Sequence, residues 1–200
     1  MQCDELIRTW IIEVIRARPG LVALALRQRA KFEGWLKFEL AAYAEAQGAE
    51  AVEVESALGE LDHSRSDLTF TYRGRYCGVE LKTCNTNWRI EGARSCTRPI
   101  TKNIKGIIAD AKKLENFPGD GIVAFCMFPV PSGDGRWTEY LDEIGEKLGL
   151  ALSVDRHTAR ISISIGGGHE ADVVVIAFAA SKDPKALSLP TSTPGPIPPA

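Results

Sequence analysis

A chain of 200 residues with 44% hydrophobic and 25% charged side chains can bury one sizeable core and is too short for two. Its 24 basic and 26 acidic residues leave a net charge of -2, which excludes a uniformly basic coat for nucleic acid but not a local basic patch. Five widely spaced cysteines (Cys3, Cys77, Cys84, Cys96, Cys126) form no paired zinc-ligand pattern and predict a reducing, cytoplasmic setting, while the acidic start Met1-Gln2-Cys3-Asp4-Glu5 predicts no signal peptide and no stretch has membrane-spanning length.

Residues 4–16 place Leu6, Ile7, Trp10, Ile11, Val14 and Ile15 at helical spacing, with Asp4 as a candidate N-cap. This predicts an N-terminal helical extension over 1–19, and a helix of this kind could supply a homodimer interface. Pro19-Gly20 breaks the pattern before a second predicted helix over 21–46. On that helix Phe32, Trp35, Leu36, Leu40, Tyr43 and Ala44 mark an apolar stripe, with Glu39 inside it. A buried unpaired carboxylate is costly, so Glu39 is expected to meet either a basic residue or a metal, with Glu33 as the second choice of helix acid. Residues 50–56 alternate like an edge strand with one polar face. Gly59 to Arg65 reads as a loop, and its His63 has no histidine near it in sequence (His157 and His169 are remote) to make a zinc site.

Residues 66–73 and 76–82 alternate in character around Arg73-Gly74-Arg75, the signature of a hairpin. Asp67 lies near one end, Glu80 and Lys82 at the other. Two apart in a strand, Glu80 and Lys82 leave one face, and with Asp67 on the partner strand they form either a cross-strand charge pair or a metal and water site. Beyond them the chain is locally basic: Lys82, Arg89, Arg94, Arg98, Lys102 and Lys105 stand against the single acid Glu91. With Arg65 and a stacking candidate, Trp88, these residues suit phosphate contacts. A helix over 100–115, capped by Thr97 or Thr101, and an almost continuous apolar strand over 122–130 then predict a crossover back to the sheet. A helix from Trp137 to Gly149, a strand over 160–165, a Gly166-Gly167-Gly168 turn and a buried strand over 172–179 complete the domain. His169 and Asp172 lie near that strand's start and read more readily as turn residues than as functional ones. The prolines after Ser181 predict a disordered tail over 181–200.

Glu39 on a helix, Asp67 at a strand start, Glu80-Leu81-Lys82 on the hairpin partner, and the helix and apolar strand that follow resemble the PD-(D/E)xK nuclease superfamily. The resemblance covers about residues 30–130 of a single domain reaching 180, and Ser66 stands where the family has proline. It implies a restriction-endonuclease-like α/β fold, a mixed sheet flanked by helices. It also implies a metal-dependent nuclease, an endonuclease acting on DNA, using Mg²⁺ or Mn²⁺. The ligands would be Asp67, Glu80, the Leu81 carbonyl and Glu39, with Lys82 at the reacting phosphate. Symmetric double-strand cuts would need a homodimer. The alternative is a catalytically silent nucleic-acid-binding or protein-interaction domain of the same fold.

Overall fold

Alternating and continuous apolar runs build six strands: β1 (Glu50–Ala57), β2 (Arg65–Tyr72), β3 (Arg75–Asn85), β4 (Asp120–Val130), β5 (Thr158–Gly166) and β6 (His169–Ala179). In the computed structural model, which describes residues 2–57, 65–97 and 99–180, they form one mixed sheet in the order β1-β2-β3-β4-β6-β5. The loop carrying His63, Arg98 and the Pro-rich stretch 181–200 lie outside the described residues. Every neighbouring pair is antiparallel except β3 and β4, which run parallel from Cys77↔Asp120 to Asn85↔Phe128. A parallel pair needs a crossover, and helix α4 (Thr101–Leu114) provides it.

Both faces of the sheet are covered. Helices α1 (Cys3–Ala17), α2 (Pro19–Gln28) and α3 (Glu33–Ala46) share one core with Leu68, Phe70, Val79, Leu81, Ile122 and Val173. On the other face α4 and α5 (Thr138–Leu148) pack on Cys84, Val123, Phe125, Met127, Ile176 and Phe178. The successive residues of β4 therefore alternate between two cores, which is why its sequence is apolar without interruption. Strand β5, at one edge, buries Ile161, Ile163 and Ile165 and exposes the residues between them. Strand β1 forms the opposite edge, as its polar alternation predicts.

Several expectations about the helices are corrected. The N-terminal helix is not an extension: Ile7, Ile11 and Ile15 are fully buried, and α1 lies against β6, β4 and α3. Its apolar face is spent inside the domain and is not free for a dimer interface. Asp4 sits within α1, which is preceded by Gln2 and has no side-chain cap. The predicted helix over 21–46 is two helices, because Arg29 takes a left-handed conformation (φ 51°) at the end of α2. The guanidinium of Arg29 donates to the carbonyls of Thr86, Trp88 and Arg94, tying the segment after β3 to the α2–α3 junction. Neither threonine caps α4 through its side chain, and a short helix α6 (Val154–His157) precedes β5 without having been foreseen.

Candidate functional site

The site arises from a fork in the sheet. Strands β2 and β3 pair from Tyr72↔Arg75 to Leu68↔Val79 and then part. Strand β2 continues beside β1 to Arg65, and β3 continues beside β4 to Asn85. Past Val79 the β2-facing edge of β3 therefore has backbone groups without a strand partner, and such groups must be satisfied by something else. Two carboxylates do this. Asp67 Oδ2 accepts the N–H of Leu81 at 2.8 Å, and Glu33 Oε2 accepts the N–H of Thr83 at 3.0 Å. Asn85 turns its amide to the carbonyl of Arg29 at 2.9 Å. Ser66 Oγ donates to the carbonyl of Val79 at 3.1 Å, bracing the point of departure from inside the core. A residue in a strand directs its N–H and C=O to the same side, so the Leu81 carbonyl opens on this edge as well.

Glu80 and Lys82 alternate with Val79 and Leu81, which belong to the α1–α3 core, and so point to α4. There Glu80 Oε1 lies 2.5 Å from Lys113 Nζ, and Lys82 Nζ lies 2.5 Å from Asp110 Oδ2. Asp67 Oδ1 is 3.5 Å from Lys37, whose Nζ also donates to Glu55 at 2.7 Å. Burial raises the Glu80 carboxyl to about 7; Lys113 pulls it back in part, and the charges of Asp67 and Asp110 push it further up. Burial works against the charge of Lys82, but the hydrogen bond to Asp110 and the fields of Asp110, Glu33 and Glu80 outweigh it, so its ammonium is held above the ordinary range. Lys37 behaves in the same way between Glu55 and Asp67. Gly106 on α4 makes room for this arrangement: a Cβ there would stand 2.9 Å from Cε of Lys82.

The structure thus brings Asp67 to the Leu81 N–H, with Glu80 and Lys82 on either side of Leu81 turned to the adjacent face. Among the described residues Asp67, Glu80 and Glu33 do not form a group of three with ligand oxygens all within 4.8 Å, and Glu39 is not brought to the site at all. Glu39 lies on the flank of α3 that faces Arg18, 3.9 Å away and partly exposed. The acid that α3 contributes to the edge of β3 is Glu33, from its first turn. Lys37, a candidate partner for Glu39 from the sequence, pairs instead with Glu55 and Asp67; Asp110 and Lys113 were not singled out from the sequence. Asp110 and Lys113 stand three apart on α4, a spacing that puts them on one helix face.

The donors at the fork are carboxylate and carbonyl oxygens, the hard set that suits Mg²⁺. Burial keeps the Glu80 carboxyl up at about 7 even beside Lys113. Thr83 Oγ1 and Asn85 Oδ1, on the same edge, are buried without a hydrogen-bond partner among the described residues.

Past Asn85 the edge leads into a groove of about 920 Å³ walled by Arg29, Lys31, Arg94, Lys102 and Asn103, which adjoins a hollow of about 620 Å³ beside Trp88 and Arg89. Arg65, Arg89, Arg94, Lys102 and Lys105 are exposed. Trp88 is half-buried under the guanidinium of Arg136, 4.9 Å from its ring centroid, and beside Tyr140. Asp172 is buried and paired with Arg160 at 3.1 Å, and His169 faces Glu91 at 3.9 Å.

A second cluster lies at the other end of β3. Cys3, Cys77 and Asp120 bring two sulfurs and a carboxylate oxygen within 4.8 Å of one another and could hold a metal ion. Sulfur ligands suit a softer ion than Mg²⁺. Arg75 grips both oxygens of Asp120 at 2.8 Å, and the hydrogen bond with Cys3, then burial, push the Cys77 thiol far up. Ligation here would have to displace the arginine and strip protons from the thiols. Cys77 and Cys126 are core residues, as expected. Among the described residues no helix is long and apolar enough to cross a membrane.

No family model, curated protein or solved structure matches the chain.

Proposed function

We propose that this protein is a metal-dependent nuclease of restriction-endonuclease-like fold that hydrolyses internal phosphodiester bonds of DNA. The observation that carries the reading is the fork at Val79, where Asp67 binds the Leu81 N–H on the open edge of β3, Glu33 binds the Thr83 N–H beside it, and Glu80 and Lys82 flank Leu81 on the adjacent face. The order of elements on which the resemblance rests is present around it: α3, the β2–β3 hairpin, α4, and β4 parallel to β3.

Asp67, Glu80 and the Leu81 carbonyl would hold Mg²⁺, with Glu33 taking the role expected of Glu39. Once bound, the cation would supply an acidified water and a counter-charge for the phosphate. The remaining work falls to the chain's own groups. Lys82, kept protonated by Asp110, is a donor and not a base; it orients the attacking water or steadies negative charge developing on the phosphate oxygens. Glu33 and Asp67 are fixed by the N–H groups of Thr83 and Leu81, which sets their orientation before substrate arrives. The groove beyond Asn85 begins about 13 Å along β3 from Leu81. Its cations would hold the flanking phosphates and make binding fall with salt.

The test is nicking of supercoiled plasmid DNA in Mg²⁺ or Mn²⁺, with single-stranded DNA and RNA in parallel. Cleavage that is abolished by chelation and by Asp67→Asn and Lys82→Ala supports the reading. Salt-sensitive DNA binding without metal-dependent cleavage would establish the silent-domain alternative instead.

A further inference from the structure

The hairpin charges are answered by a second pair on α4. Lys113 Nζ lies 2.5 Å from Glu80 and also donates to the carbonyl of Arg65, two residues before Asp67. It therefore stands in the mouth of the fork, against one of the carboxylates that a divalent cation would need. An ammonium in contact with an oxygen and a metal ligated by that oxygen compete for the same place. The two lysines near the carboxylates differ in how firmly they are held. The Lys37 side chain is 11% exposed and is bound to Glu55 whether or not Asp67 takes a metal. The Lys113 side chain is 26% exposed, so its ammonium has a short way to solvent and to anything docked at the fork, while Glu80 at 6% does not.

Resting on the nuclease reading, we propose that Lys113 is a further catalytic residue with two stations. In the free protein it is the counter-ion of Glu80; when the divalent cation is bound it yields Glu80 and turns its ammonium to the phosphate at the fork. The buried carboxylate is then never left without a cation, and a positive charge is delivered to the substrate only when the metal is in place. Asp110, one turn earlier on the same face, holds Lys82 in the meantime and stays with it.

Two consequences separate this role from that of a surface lysine. Removing Lys113 takes away a competitor, so metal affinity should rise, although removing a cation that serves the phosphate should slow turnover even when the metal site is full. Lys112, the exposed neighbour, is the control for loss of one charge from α4. The full chain, Lys113→Met and Lys112→Met are titrated with Mn²⁺ and Mg²⁺ by calorimetry without nucleic acid, then assayed on plasmid DNA at saturating metal.

Lys113→Met is expected to bind the metal about tenfold tighter, with Lys112→Met within about twofold of the parent chain. At saturating metal, turnover of Lys113→Met is expected to fall about a hundredfold, with Lys112→Met unchanged. Equal affinities for Lys113→Met and Lys112→Met would overturn the proposal, and so would undiminished turnover of Lys113→Met at saturating metal. If Lys113→Met does not fold, Lys113→Gln, which keeps a donor for the Arg65 carbonyl, is held to the same criteria. A parent chain that binds no divalent ion and cuts nothing refutes the nuclease reading itself; a parent chain that does both, with variants behaving alike, refutes only the role of Lys113.

Discussion

Glu80 is the residue whose removal should pay back in stability what it costs in activity. Its carboxyl is 5% exposed and titrates at about 7 instead of the ordinary 4.5. Below 4.5 it is protonated in folded and unfolded chains alike. As the pH rises from 4.5 to about 7 the unfolded chain gives up the proton and the folded one keeps it, so stability falls across that window and is level above it. The full displacement corresponds to about 3 kcal/mol. Glu80→Gln removes it, keeps the shape and leaves an amide oxygen for Lys113, whose lost charge partner returns part of the gain. A net stabilisation of about 2 kcal/mol at pH 8 follows, or a Tm higher by about 4 to 8 °C for a domain of this size. The assay is thermal or urea unfolding of both chains in chelator, at several pH values from about 4.5 to 8, so that no metal stabilises the parent selectively. The variant's advantage must grow with pH through this window. A constant difference, or a variant less stable than the parent at pH 8, would show that Glu80 is comfortably paired in the folded chain and that its burial stores nothing for a metal.

Three further outcomes are expected. Glu33→Gln should lower metal-dependent cleavage at least about tenfold, while Glu39→Gln, whose partner is Arg18, should stay within about twofold; the reverse order would return Glu39 to the site. Gly106→Ala should raise helix stability by up to about 1 kcal/mol in urea unfolding and still depress cleavage, because its methyl group displaces the flexible end of Lys82 from Asp110. Activity equal to the parent's would mean that the position of Lys82 is unimportant. Arg29→Ala leaves three carbonyls without their donor and should cost about 3 kcal/mol in urea unfolding, with faster proteolysis within residues 86–97 than elsewhere. A loss below about 0.5 kcal/mol would mean that the basic segment does not depend on that anchor.

Much of the site was legible because it interrupts a regular pattern. Glu80 and Lys82 stand where strand alternation calls for ordinary face residues, and the amphipathic α4 followed by the doubly buried β4 announces a parallel crossover. What failed was information that no local spacing carries. Residues 3–17 show that α1 has an apolar face, but not that the face lies over β4 and β6. The break at Arg29 has no glycine or proline to signal it; a left-handed arginine is sustained by three distant carbonyls. Glu39 was misplaced because the apolar stripe was drawn too wide. The buried row is Phe32, Leu36, Leu40 and Ala44, while Trp35 and Tyr43 are only half-buried and share the flank of Glu39. The Cys3–Cys77–Asp120 cluster joins residues 74 and 43 positions apart, beyond the reach of any motif.

The fork explains why the acids are where they are. An open edge inside a sheet leaves N–H groups that must be satisfied, and the strand that would have satisfied them has turned away toward β1. Asp67 and Glu33 each spend one oxygen on this structural duty, at Leu81 and Thr83. The other oxygen of Asp67 lies 3.5 Å from Lys37. A hydroxyl or amide could satisfy the same N–H groups at less electrostatic cost, so the need for acceptors alone does not account for carboxylates. Nor does it account for Glu80, which is buried on the adjacent face and makes no bond to that edge. The excess is negative charge gathered around one open backbone position and countered by lysines from two helices, of which Lys113 has a path to solvent. On the proposed nuclease reading, a divalent cation taken up at the fork would be what answers that charge.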